Sequence, residues 1–320
     1  MDKNIPSQAK LDLSSLSSGK HTFMLHMTEN AMGDTWKIPV MILKGKNPGP
    51  VLGVTAALHG NELNGIRIIH NLWRKIKTVE LTGTVVCAPI LNIPGFIMLR
   101  REFFDTVDLN RIMPGNPKGT GSERYAHLIV QKLLKPLDYL IDLHTASFGR
   151  INALYVRADL KHPKIREMAE LQEPQIIVHK EPGDGTLRGI ANEMGIPAIT
   201  VEVGDSHQFQ KKHIRPSIFG LNNVLVNLGM LDEEIAEIDH DAVICKSSSW
   251  FYADLGGILE VFPNLTDMVQ EGQEIARISD IFGELESRIL APHSGIVIAK
   301  STNPVCHEGS RVIHLGKIQQ

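Results

Sequence analysis

The sequence predicts an α/β protein: a mixed, largely parallel sheet flanked by helices, followed by a small C-terminal all-β, barrel-like domain. Three observations carry this. Between residues 37 and 231, short apolar runs alternate with stretches of helical periodicity, the pattern of βα units around a parallel sheet. An acidic stretch follows, with Asp232, Glu233, Glu234, Glu237, Asp239 and Asp241. Beyond it the pattern changes to short apolar strands punctuated by Gly, Pro and Asn. The expected units are therefore 1–231 and 232–320, with the acidic stretch as linker.

In chain order, residues 50–58 (PVLGVTAAL) read as a buried strand, and Ile66, Ile69, Trp73 and Ile76 then recur at helical spacing. Residues 83–90 (GTVVCAPI) are the next strand and 122–135 a helix. Residues 138–143 (DYLIDL) form a central strand ending at His144. Further strands are expected at 175–178 and 198–203, with helices near 187–194 and 213–231. Beyond the acidic stretch, a pair of segments resemble each other. Val269-Gln270-Glu271-Gly272 leads into Ile275 and Ile278, and Val305-Cys306-His307-Glu308-Gly309 leads into Val312, Ile313 and Leu315. Each follows an apolar strand, at 257–262 and 295–299. The repeat resembles the two halves of a biotinyl/lipoyl-type barrel, but no Met-Lys-Met hairpin tip is there to carry a prosthetic group.

Composition excludes several classes. A chain of 320 residues, 42% hydrophobic and 22% charged, can bury a large core and does not have the profile of a disordered protein. The net charge of -3 and the scattered Lys and Arg give nucleic acid no footprint. Cys87, Cys245 and Cys306 are far apart and odd in number, which fits a reducing cytoplasm better than a disulfide framework. No apolar run reaches the roughly 18 residues that span a bilayer, and Met1, Asp2, Lys3, Asn4, Ile5 and Pro6 do not begin a secretory signal.

In open α/β sheets ligands sit beyond the carboxyl ends of the strands. Potential metal ligands follow three of the expected strands: His59 and Glu62 in LHGNE, His144 in LIDLHT, and Glu202 in TVEVGD. A catalytic zinc takes three N or O ligands and keeps a position open for water, and His59, Glu62 and His144 supply such a set. Gly60 lets the chain turn tightly between His59 and Glu62, and Asp142 is placed to accept from His144. Taken singly, each histidine is an ordinary strand-end residue; what raises their weight is convergence on one sheet edge. In DLNRIMPG, Asn110 and Arg111 are suited to grip a substrate carboxylate through an amide and a planar guanidinium, unless Arg111 merely pairs with Asp108. Arg100 and Arg101 bring a further cation near the metal.

The strings LHGNE, DLNRIMPG, LIDLHT and VEVG, in this order, resemble the succinylglutamate desuccinylase/aspartoacylase family of zinc-dependent deacylases, relatives of the zinc carboxypeptidases. The likeness covers roughly residues 37–231, and the C-terminal region is similar to the β-domain that family members carry. It implies a zinc carboxypeptidase-like catalytic domain holding one Zn2+ per chain on His59, Glu62 and His144. It also implies Glu202 as the catalytic carboxylate, Asn110 with Arg111 as the clamp, and an oxyanion-stabilising arginine, for which Arg101 is preferred to Arg100. The expected reaction is hydrolysis of the amide of a small N-acyl amino acid or N-acylated amine. The expected partner is that small molecule, with no nucleic acid and no membrane; a homo-oligomer is left open. Two other readings compete: a zinc carboxypeptidase acting on peptides, and a non-catalytic binding or carrier module suggested by the lipoyl-like tail. The pocket itself is expected to draw on the loops at 148–150, 181–188 and 206–209.

Overall fold

The computed structural model describes residues 5–235 and 241–319; Glu237 and Asp239 of the acidic stretch, like residues 1–4, lie outside them. Four parallel strands form the centre, in the spatial order Thr82–Ala88, Asn47–Ala56, Tyr139–Ala146 and Ala198–Asp205. Their sequences are near-continuous apolar runs because both faces are covered. Along Tyr139–Ala146, Ile141 and Leu143 belong to one buried cluster and Leu140 to the other, so each face has its own core. The first cluster packs under Asn64–Lys75 and Lys211–Asn227, the second under Gly121–Ile129 and an N-terminal hairpin, Gly19–Glu29 with Thr35–Lys44.

The structure extends the sequence reading at several points. The N-terminal hairpin was not expected, nor were the strands Arg150–Asn152 and Tyr155–Ala158 or the helices Ile93–Ile97 and Pro163–Glu170. The short strands and helices show too few periods to be recognised, whereas the hairpin strands are 11 and 10 residues long and alternate in burial. The helix expected over 122–135 starts at a capping box, where Thr120 accepts from the Glu123 backbone and the Glu123 side chain accepts from the Thr120 N–H. It changes from α to π geometry at Val130–Leu134. The strand expected to stop at His144 runs on to Ala146, and the one holding Glu202 runs on to Asp205.

The sheet does not break near residue 232. Val243–Tyr252 adds in parallel to Ile176–His179, and Arg311–Ile318 and Gly295–Ser301 follow, so 14 strands form one sheet among the described residues. A second sheet of four strands packs against this extension through Leu259, Ile275, Ile278, Val312 and Leu315. The repeat seen in sequence has a counterpart in the pairing. Met268–Val269 crosses to pair with Gly295–Ser301, and Val305–Cys306 crosses to pair with Gly257–Val261, each two-residue strand joining the opposite half.

Candidate metal centre

The site forms where three of the central strands deliver their carboxyl ends. After Ala56 the chain enters a left-handed residue, Ala57 (φ 48°), unusual for a side chain with a Cβ and strained. It then carries His59 and Glu62 back over the sheet edge. Gly60 plays a different role from the one expected. Its φ is not in the left-handed range; instead a Cβ there would lie 2.0 Å from the Gly95 carbonyl carbon, so glycine is required by close approach of the chain Ile93–Ile97. His144 and Glu202 sit side by side on adjacent parallel strands, in register with one another.

His59, Glu62 and His144 present ligand atoms all within 4.8 Å of one another, and their side chains are 3%, 1% and 3% exposed. The Nδ1 atoms of the two histidines are 3.1 Å apart, and the Glu62 carboxylate lies 2.8 Å from one and 3.0 Å from the other. Each ring turns its other nitrogen to an acid: His144 Nε2 donates to Asp142 at 2.7 Å and His59 Nε2 to Asp108 at 3.1 Å. Thr55 donates in turn to Asp142 at 2.6 Å. A carboxylate only accepts, so each Nε2 carries a proton; a neutral ring then turns a lone pair on Nδ1 toward Glu62, and a protonated ring donates from Nδ1 to Glu62 instead. Two imidazole lone pairs and a carboxylate aimed at one point make a set of acceptors whose natural complement is a cation, and the N2O donor set suits zinc. Burial pulls the pKa of His144 down, but Asp142 and Glu62 outweigh it and hold it well above the ordinary histidine value. Burial likewise opposes ionisation of Glu62, yet the two histidines hold its carboxyl far below the usual carboxylate range. The centre is thus negative enough to attract a cation of either kind, proton or metal.

Arg101 separates itself from Arg100 here. Its guanidinium reaches Glu62 at 3.1 Å, Asp108 at 2.9 Å and Ser147 at 2.7 Å, whereas Arg100 is exposed. Asp108 also accepts from the Asn110 backbone, so one carboxylate ties His59, Arg101 and the following turn together. Asn110 uses its Oδ1 to cap Leu187 at 2.8 Å. Arg111 is exposed, borders the same cleft and makes no ion pair with the described residues, so it is not simply the partner of Asp108. Glu202 lines the cleft too, accepting from Asn152 at 3.1 Å, with Arg157 3.7 Å away. Burial pushes its carboxyl above the ordinary value despite that arginine.

All seven residues singled out from sequence border one cleft of about 270 Å3. Sequence reasoning missed most of the other walls. Tyr155 and Arg157 come from an unrecognised strand, and Ser248, Trp250, Arg311 and His314 from the C-terminal strands. No motif marks these; Tyr155 stands opposite Glu202 on the neighbouring strand, and the pairing of Val243–Tyr252 with Ile176–His179 carries the C-terminal residues to the site. Arg150 and the segment 184–188 do contribute, as expected of those loops, whereas none of residues 206–209 borders the cleft.

The sequence model of the succinylglutamate desuccinylase/aspartoacylase catalytic domain matches residues 48–228. The chain belongs to this family. Among curated members it is 27% identical over 255 residues to the N-alpha-acetyl-L-2,4-diaminobutyric acid deacetylase of Halomonas elongata, covering 76% of this chain and 74% of that protein. It is 29% identical over 186 residues to the succinylglutamate desuccinylase of Pseudomonas paraeruginosa, covering 54% and 56% respectively. In fold it matches the product-bound ectoine utilization protein EutE of Ruegeria pomeroyi, with a TM-score of 0.85, 22% identity and coverage of 94% of this chain and 96% of that one. It also matches a succinylglutamate desuccinylase from a Silicibacter species, with a TM-score of 0.86, 23% identity and coverage of 99% and 100%. The family fold, including the C-terminal β-rich region, is therefore present along the chain.

Proposed function

We propose that the protein is a zinc-dependent amidohydrolase that removes the acyl group from a small N-acyl amino acid or N-acylated amine. Residues 1–231 would form its catalytic unit, and 232–320 a β-unit that closes one wall of the cleft. The observation that carries this reading is the convergence of His59 Nδ1, His144 Nδ1 and the Glu62 carboxylate, with Glu202 and Arg101 in the same small cleft. Membership of a family whose relatives are named deacetylase and desuccinylase supports it. The three buried, unpaired cysteines support a reducing compartment.

His59, Glu62 and His144 would hold the zinc, which when bound supplies a Lewis acid that brings the pKa of a water to about 7. The water oxygen adds to the acyl carbon, the C–N bond breaks, and the products are a carboxylate and a free amine. Glu202 takes the proton from the attacking water and delivers it to the leaving nitrogen. Burial suits it to both steps, because a raised pKa brings a carboxyl closer to the operating pH. Arg101 is held by Asp108 with its charge beside Glu62, where it offsets the negative charge growing on the acyl oxygen. Such a donor contributes roughly 3 to 4 kcal/mol in other enzymes. Asn110 and Arg111 grip a carboxylate of the substrate; Oδ1 of Asn110 is committed to Leu187, so its amide nitrogen is the group available to donate. The cleft is smaller than most ligand pockets, which favours a small amide over a peptide.

The deciding experiment incubates zinc-loaded and chelator-treated protein with N-acetyl, N-succinyl and N-formyl amino acids and follows release of free amine. Zinc-dependent release supports the reading. No release from any of them, with cleavage of C-terminal residues from peptides instead, would replace it by a carboxypeptidase.

A further inference from the structure

Glu202 is held by more of the chain than the segment that carries it. Strand pairing sets three residues in one row across the sheet, His144, Glu202 and Tyr155, each opposite the next. Two residues along, on the same face, Asp142, Thr200 and Arg157 form a second row. Directly opposed residues of an antiparallel pair have Cβ atoms about 5 Å apart, so Tyr155 and Glu202 are neighbours by register alone. Tyr155 is 2% exposed and packs in a cluster with Ile176, Val178 and Ile298, yet it also borders the cleft. Its hydroxyl oxygen accepts from Arg157 Nη2 at 2.7 Å. The same guanidinium brings its Nε to 3.7 Å from Glu202 Oε1, and Asn152 donates to Glu202 Oε2 at 3.1 Å.

We propose that Tyr155 is a positioning residue for the hydrolysis: turned by Arg157, it donates its hydroxyl hydrogen to Glu202 and fixes that carboxylate at the edge of the metal centre. The inference rests on the hydrolase reading above and deepens it. The direction of the bond follows from counting donors. A guanidinium has no acceptor, so Arg157 donates to the phenol oxygen, and the one hydrogen of the phenol is left for Glu202. Tyr155 keeps that hydrogen at neutral pH. Burial first, and then Glu202 through its charge and as a hydrogen-bond partner, raise its pKa against the pull of Arg157. The tyrosine is therefore a donor and not a second base. A glutamate side chain turns freely about its own bonds, whereas a proton acceptor has to stay within hydrogen-bond reach of the water it serves. Asn152 restrains one carboxylate oxygen and the Tyr155–Arg157 pair the other, so Glu202 is kept from swinging away.

Tyr155→Phe keeps the ring in its apolar surroundings and removes only the hydroxyl. With zinc-loaded protein and the best substrate among N-acetyl, N-succinyl and N-formyl amino acids, kcat should fall about 10- to 100-fold, the scale of a hydrogen bond to a charged group, while KM and zinc content stay near those of the unmodified protein. A double change then asks whether the loss runs through Glu202. Tyr155→Phe combined with Glu202→Gln should be no slower than Glu202→Gln alone, because a residue that acts through another adds nothing once that one is removed. A tyrosine with a merely structural role would slow both backgrounds by the same factor. Near-normal kcat in Tyr155→Phe, or the same fold loss in both backgrounds, overturns the proposal. A spectroscopic arm needs no turnover. The chain has four tyrosines, so with carbon-13 at the ring Cζ the Tyr155 resonance is identified by its loss in Tyr155→Phe. It should move in Glu202→Ala. If no amide is hydrolysed, the hydrolase reading fails while this resonance still judges the bond; a resonance unmoved in Glu202→Ala overturns it.

Discussion

His59 and His144 approach each other through their Nδ1 atoms, 3.1 Å apart, while their Nε2 atoms are held by Asp108 and Asp142. Were both rings neutral, each would offer the other a lone pair there, so the contact calls for a shared cation, proton or metal. The outer carboxylates impose it by fixing the tautomers. A metal between the rings is the simplest chemical complement, and the predictions begin there.

Purified protein should contain about one zinc per chain. His144→Ala should lose the zinc and the amidase activity while keeping a cooperative melting transition, because the sheet core on either side of Tyr139–Ala146 is apolar and independent of the ion. Full zinc content in that variant, measured by atomic emission, removes the assignment.

Asp142→Asn should keep all three inner groups and still weaken zinc binding about 10- to 100-fold, the effect of losing a partner that orients a ligating histidine. Asp142 is fully buried between His144 and Thr55, so some loss of stability is expected alongside. Competition with a chelator of known affinity gives the number. Unchanged zinc affinity would show that the Asp142–His144 bond has no bearing on the metal.

Glu202→Gln retains size and an acceptor for Asn152 but cannot take up a proton. Zinc content and melting temperature should stay near those of the unmodified protein while kcat falls roughly 10²-fold or more. Near-normal turnover would leave Glu202 as a structural carboxylate.

Arg111→Lys should reduce kcat/KM markedly on carboxylate-bearing substrates, since a point charge does not reproduce two parallel N–H donors. Asn110→Ala should act in the same direction and less strongly, partly through the lost cap on Leu187. Steady-state kinetics identical to the unmodified protein would exclude the clamp.

His314 gives a pH prediction that does not involve the metal. Burial, with Arg157 and Arg311 nearby, holds its pKa well below the ordinary histidine value, so the folded chain keeps it neutral. As pH falls below about 6.5, the unfolded chain takes up a proton that the folded chain refuses. The associated stability is therefore present above that pH and is lost on acidification, by up to about 1.4 kcal/mol per pH unit. Denaturation at about pH 7.5 and about pH 5.5 should show a smaller acid penalty in His314→Phe than in the unmodified protein. Equal penalties would remove His314 as the source.

The residues that the sequence singled out are those whose place is set locally. LHGNE, LIDLHT and TVEVGD each follow or finish an apolar run, and a parallel sheet brings such ends to one edge whatever the helices do. The helical periodicity of Asn64–Lys75 and the long apolar strands were legible for the same reason: burial on both faces of a sheet leaves a pattern in adjacent residues. Gly60 shows the limit even there. Its presence suggested a turn, but the demand for glycine comes from backbone 35 positions away, at Gly95, which no local pattern reports. The choice between Arg100 and Arg101 was likewise open in sequence, and the direction each side chain takes distinguishes them. The tertiary structure alone decided the far wall of the cleft. Trp250, Arg311 and His314 reach it because Val243–Ile244–Cys245 pairs in parallel with Ile176–Ile177–Val178 and carries the following strands back over the catalytic edge. That placement depends on contacts between residues more than sixty positions apart, so it is written in the pairing of strands and in no single segment of the chain.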